Sequence, residues 1–244
     1  MLSHQHVAAR DEASTCSTGK VDEGPDHSAV ERAASIEAVL TTLTPAGVTS
    51  GARAISHTDV ADLRPAERAH VRDAVASRRH EYATGRALLR QLLSSDVEIP
   101  TASDRRPVLP GGVSGSLAHD DSFAVAVVAP TPVVGALGVD IEPATPLDPR
   151  ISTRILRLDD PEIEPHLAFT LKEAVYKAWS GAGGAVLDHH DVRLTVSGTP
   201  DGLESCAFRG TILEASRSIS GRCARVAGRW IAATAIRGYP PLDG

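Results

Sequence analysis

Residues 111–142, GGVSGSLAHDDSFAVAVVAPTPVVGALGVDIE, read as three successive strands. Ser114–Ala118 is the first, a turn falls near Asp120-Asp121, Phe123–Val128 is the second, and a proline-containing turn leads into Val133–Glu142. The apolar runs are long enough for these strands to be mostly buried. No helical pattern separates them, so the chain is expected to be α+β, without the regular βαβ alternation of a doubly wound sheet.

Upstream, Pro65–Leu93 is expected to be one helix, rich in Ala, Arg, Glu and Leu, with its proline where a helix start tolerates one. Val71, Val75, Tyr82, Leu89 and Leu93 form an apolar stripe, whereas the rest is basic, with seven arginines against four acids between Asp62 and Arg90. Apolar runs at Ile36–Leu43 and up to Ala54-Ile55 mark the start of the folded region. Residues 1–30, polar almost throughout, are expected to be a disordered tail. Downstream, Thr170–Trp179 reads as a short helix started by a capping box, and Val192–Val196, Thr211–Ala215 and Cys223–Ile236 read as further strands.

The net charge of −6 disfavours a nucleic-acid partner, which leaves the basic helix as a local island in an acidic protein. The longest uncharged stretch, Phe123–Val139, is broken by Pro130 and Pro132, and no basic-then-apolar leader is present, so no membrane span and a cytoplasmic location are expected. With only 3% aromatic residues, the core must be filled by Ala, Val and Leu. Cys16, Cys206 and Cys223 are an odd number without metal-ligand spacing, which argues against a disulfide framework and against a zinc site.

Three constellations could carry chemistry. In Gly138-Val139-Asp140-Ile141-Glu142 the carboxylates are two apart on a strand and leave the same face, an arrangement suited to Mg²⁺, which takes one or two protein carboxylates and fills its shell with water and phosphate. Glu173 and Lys177 stand at i and i+4 on one helical face. Arg79 and Arg86, seven apart on a helix and flanked by Arg72 and Arg90, would offer guanidinium forks to phosphate, with His119 at a strand end as a further contact or proton carrier. Taken singly, each is as easily a solvated strand end, a surface ion pair or a solvated basic face.

Taken in order, these pieces resemble the 4′-phosphopantetheinyl transferases, specifically the enterobactin-synthase-type branch. The resemblance rests on Arg78-Arg79-His80-Glu81-Tyr82-Ala83-Thr84-Gly85-Arg86, Arg106-Pro107-Val108-Leu109-Pro110, Gly115-Ser116-Leu117-Ala118-His119, Gly138–Glu142 and Phe169–Trp179 with its Lys-Glu-Ala-x-x-Lys-Ala core. It implies a fold of two pseudo-symmetric α/β halves, 31–130 and 131–244, with the active site between them. It implies transfer of the phosphopantetheine arm of coenzyme A to a serine of an apo acyl or peptidyl carrier protein, with release of adenosine 3′,5′-bisphosphate. Asp140, Glu142 and Glu173 would surround Mg²⁺, and Glu173 would be the general base. Lys172 and Lys177 would contact the diphosphate, and His119 coenzyme A. Arg86 and either Arg78 or Arg79 would hold the adenosine-phosphate end, with Arg106 as a further ligand; helical geometry favours Arg79 and the family motif Arg78. The carrier would dock near the Lys172 helix and the loop after it, and the enzyme would be a monomer. Carriers of fatty-acid, polyketide and nonribosomal peptide synthesis all present such a serine. The sequence departs from the family at Leu109, where relatives have Trp, and over 181–191, Gly/Ala-rich where relatives carry an aromatic stretch. A metal-dependent phosphohydrolase and a non-catalytic coenzyme A binder are the competing readings.

Overall fold

The computed structural model describes residues 27–198 and 205–237. It is an α+β fold built on two antiparallel sheets. The elements run α1 (His27–Leu43), β1 (Thr49–Ala54), a 3-10 turn (His57–Asp62), α2 (Pro65–His70), α3 (Ala76–Leu93), β2 (Val113–His119), β3 (Phe123–Pro130) and β4 (Ala136–Pro143). They continue with α4 (Pro149–Ile155), α5 (Pro165–Gly181), a 3-10 turn (His189–Asp191), β5 (Val192–Ser197), β6 (Cys206–Ile212), β7 (Arg217–Val226) and β8 (Arg229–Ile236). Strand order is β1-β3-β2 in the smaller sheet and β4-β8-β7-β6-β5 in the larger. No helix among the described residues is long and apolar enough to cross a membrane. Most of the tail expected over 1–30 lies outside the described residues; His27 to Val30, expected in it, open α1.

β3 explains how a protein poor in aromatics closes its core. Its alternate side chains serve two layers: Val125 and Val127 pack with Ile36 and Leu40 of α1, while Ala124, Ala126 and Val128 pack with Leu88 and Leu89 of α3. In the other half, Leu167, Leu171 and Val175 of α5 lie among Leu194, Phe208, Ile212 and Trp230 of the larger sheet. Each half thus repeats one plan, a long helix over an antiparallel sheet. The halves are joined where β2 meets β4: the Val139 amide donates to Ser116 Oγ at 3.1 Å and the Ser114 hydroxyl to the Gly135 carbonyl at 2.8 Å. Arg229 of β8 adds a strut, its Nε donating to Asp120 Oδ2 at 2.8 Å across the same junction.

The helix expected over Pro65–Leu93 is two helices. Val71 closes α2 and Val75, in extended backbone, precedes α3. The break lets Glu67 fold back beneath α3, where both its oxygens accept from Arg90 Nη1 at 2.7 and 2.9 Å. In a continuous helix these residues, 23 apart, would be separated by ~35 Å. Helix α5 begins five residues before Thr170: Pro165 is its first residue and Glu164 caps it, accepting from the amides of His166 and Leu167. Thr170 is an interior residue whose hydroxyl donates to the His166 carbonyl. The strand expected over Thr211–Ala215 ends at Ile212, and Cys223–Ile236 is split between β7 and β8 by a two-residue turn, Ala227-Gly228, with both φ values positive, 49° and 73°. The argument against a disulfide is also overturned: Cys206 and Cys223 are register partners on β6 and β7 and are bonded to each other.

Candidate active site

The strand alternation of β4 sends Val139 and Ile141 into the core and turns Asp140 and Glu142 toward α5. α5 lies directly on β4 at Gly138, where any Cβ would overlap the Ala174 carbonyl oxygen. That close approach brings Lys177 onto the strand: its Nζ donates to Asp140 Oδ1 at 2.6 Å and to the Val139 carbonyl at 3.1 Å. Glu173, one turn earlier, faces the same space.

The acids here are crowded and poorly hydrated. Burial pushes the Asp140 carboxyl up to about 7, against the pull of Lys177. Burial, reinforced by the neighbouring Asp140 charge, pushes Glu142 up to about 9. Glu173 goes the other way: burial alone would raise it, yet a hydrogen bond from His189 and the nearby Lys177 ammonium hold it below the usual range. Lys177 is held above its ordinary value, because Asp140 and Glu173 outweigh the cost of burying the ammonium. Asp140 Oδ2 is buried and has no hydrogen-bond partner among the described residues.

The opposite wall is basic. Arg86, buried in α3, donates from Nε to the Ile99 carbonyl and from Nη2 to Thr101 Oγ1, each at 2.8 Å, and its guanidinium lies 4.2 Å above the centre of the Tyr82 ring. Arg78 Nη1 is 2.7 Å from His119 Nε2. Burial, followed by the Arg78 and Lys177 charges, pushes His119 down to about 4, so at neutral pH its Nε2 accepts from Arg78 and Nδ1 carries the hydrogen. Between the two walls lies a cavity of about 630 Å³. A second, of about 430 Å³, shares Arg105, Pro107, Leu117, Glu173 and Lys177 with it.

The fold therefore brings Arg78, Arg86, His119, Asp140, Glu142, Glu173 and Lys177 around one cavity. Three expected ligands lie elsewhere. Arg79, which helical geometry favours, does not line the cavity; Arg78, which the family motif favours, does. Arg106 lines only the second cavity, with Nε 2.7 Å from Asp104 Oδ2. Lys172 is 1% exposed and spends its ammonium on the Ile155 carbonyl, Asp160 Oδ2 and the His189 carbonyl, at 2.8, 2.6 and 3.0 Å. It lines neither cavity. The sequence reading missed Arg105, Tyr82 and Thr101 on the walls, and His189 behind Glu173. Arg105 beside Arg106-Pro107 was the one visible signal; Tyr82 was taken as part of an apolar stripe.

Among the described residues, no group of three or more His, Cys, Asp or Glu side chains is placed to hold a metal ion, so Asp140, Glu142 and Glu173 do not form the expected three-carboxylate set. An open site needs fewer. The orphaned Asp140 oxygen beside Glu142, both oxygen donors, fits a hard divalent cation that keeps most of its shell for water and phosphate.

The model of the 4′-phosphopantetheinyl transferase N-terminal domain matches residues 66–129, the stretch that supplies the basic wall. The 4′-phosphopantetheinyl transferase Svp of Streptomyces mobaraensis is 33% identical over 187 residues, covering 70% of this chain and 74% of that protein. The chain belongs to the 4′-phosphopantetheinyl transferase family. The transferase Npt of Nocardia iowensis is 30% identical over 58% of this chain and 69% of its own. PptT of Mycobacterium tuberculosis is 28% identical over 68% of this chain and 79% of its own. As a phosphopantetheinyl transferase, the protein has its basic and acidic walls in different halves of the chain, on α3 with β2 and on β4 with α5.

Proposed function

We propose that this transferase moves the 4′-phosphopantetheine arm of coenzyme A onto a serine of an apo acyl or peptidyl carrier protein, releasing adenosine 3′,5′-bisphosphate in a Mg²⁺-dependent reaction. The observation that carries the proposal is the polarity of the cavity: arginines at one wall, and three carboxylates with a lysine at the other. The ordered motif set supports the enterobactin-synthase-type branch, the use of coenzyme A supports a cytoplasmic location, and the meeting of both walls within one chain supports a monomer whose half 31–130 binds the nucleotide and whose half 131–244 carries the chemistry.

In this reading Arg78, Arg86 and neutral His119 bind and orient the phosphates of coenzyme A, with Tyr82 and Thr101 fixing the Arg86 guanidinium. Asp140 and Glu142 would hold the Mg²⁺. When bound, such an ion neutralises the diphosphate and stabilises charge growing on the leaving phosphate oxygen. Lys177, anchored on Asp140, brings a fixed positive charge to the same place. Glu173, held ionised, accepts the proton of the carrier serine hydroxyl as that oxygen attacks the β-phosphorus of coenzyme A.

The test is the intact mass of an apo carrier protein incubated with the enzyme, coenzyme A and Mg²⁺. The expected result is a gain of one phosphopantetheine, absent with EDTA and reduced by ~10²–10⁴ in rate with Glu173→Gln. Unmodified acyl and peptidyl carriers alike, with coenzyme A hydrolysed instead, would overturn the proposal.

A further inference from the structure

The geometry points to His189 as the residue that orients the Glu173 carboxylate, a positioning role on which the proposed base depends. His189 sits in the 3-10 turn that follows the Gly/Ala-rich stretch after α5. Its Nε2 lies 3.1 Å from Glu173 Oε1, and no other hydrogen bond to the Glu173 carboxylate is made among the described residues. A carboxylate poised to take a proton offers only acceptor atoms, so Nε2 is the donor. With Oε1 engaged, Oε2 is the oxygen left for the substrate hydroxyl.

Two further contacts make His189 a fixed support and not a passing neighbour. Its backbone carbonyl accepts from Lys172 Nζ at 3.0 Å, and its ring lies 5.2 Å from that of Phe169, tilted by 32°. Lys172 is itself locked by Asp160, which also accepts from the amides of Leu194 and Arg157, at 2.8 and 3.0 Å. Consecutive residues of α5 therefore grip one residue twice, Lys172 by its main chain and Glu173 by its side chain. His189 lines neither cavity, so it acts through Glu173 and does not touch the reacting atoms. The buried Lys172, expected at the diphosphate, acquires a purpose here: it holds the support that holds the base.

The inference rests on Glu173 being the base, and the experiment separates the two. Steady-state kinetics with coenzyme A and an apo carrier would be measured for wild type, His189→Ala, His189→Gln and Glu173→Gln, with thermal unfolding of each. The expected result for His189→Ala is a loss of ~10²-fold in kcat with the KM for coenzyme A unchanged within about twofold, the size of penalty a misplaced catalytic group incurs. His189→Gln, which keeps an N–H donor at similar reach, should recover most of that loss. If His189→Ala does not fold, His189→Leu fills the ring's volume without a donor and gives the same readout. A kcat within about twofold of wild type for the donor-less variant, or no recovery with Gln, would overturn the inference even if Glu173→Gln is inactive. Near-normal turnover by Glu173→Gln would instead sink the base assignment on which the inference stands.

Discussion

Glu67, in the N-terminal half, and Asp140, in the C-terminal half, are both buried carboxylates bonded to a cation on a long helix, but their surroundings differ. Glu67 accepts four hydrogen bonds from three partners: Arg90 Nη1 on both oxygens, the Ile99 amide at 2.8 Å and the Arg64 amide at 2.9 Å. Asp140 has Lys177 on one oxygen and, among the described residues, nothing on the other, with Glu142 and Glu173 facing the same space. A saturated buried carboxylate is a fastener, here holding α2, α3 and the segment at Ile99 together. An undersaturated one is a candidate site, because such a carboxylate still has room for a partner.

The comparison is broken most severely at Asp140. Asp140→Ala should reduce carrier modification by at least ~10³-fold while leaving the fold intact, since in the proposed function it removes a metal ligand together with the anchor of Lys177. A rate assay with unfolding checked in parallel decides it. Glu67→Ala should do the reverse. Removing one partner strands the buried Arg90 charge and costs ~3–5 kcal/mol of stability by denaturant unfolding, while kcat per folded molecule stays within about twofold. Arg78→Ala should have a smaller effect on a different quantity. It deletes one charge-assisted contact from the basic wall, so the KM for coenzyme A should rise by ~10-fold with little change in kcat.

What the sequence made legible was local. The same-face pair Asp140 and Glu142 follows from strand alternation, and Glu173 with Lys177 follows from the helical repeat; neither needs a partner to be known. What it hid depends on residues far along the chain. Lys172 lies in the same short motif as Lys177 and carries the same charge, yet its rotation about α5 points it at Asp160 and at the 3-10 turn that bears His189. The split between α2 and α3 is set by Arg90, and the Cys206–Cys223 bond by the register of β6 on β7. The closeness of α5 to β4 was written in a single residue, Gly138, whose meaning appears only when the helix is laid on it. His189 gave no signal, because its tie to Glu173 depends on a turn 16 residues further along the chain.

The central claim is that the acidic wall is incomplete until a divalent cation joins it, and thermal unfolding at pH 8 tests that directly. Glu142 has a folded-state pKa raised to about 9, above its unfolded value, so its ionisation costs stability as pH rises past that unfolded value. In EDTA, Glu142→Gln should therefore unfold at a higher temperature than wild type, by roughly 2–4 °C for each kcal/mol relieved. With Mg²⁺ and coenzyme A present, the wild type should gain stability and the variant should gain little. Equal response of both proteins to Mg²⁺, or a wild type already as stable as the variant in EDTA, would contradict the account.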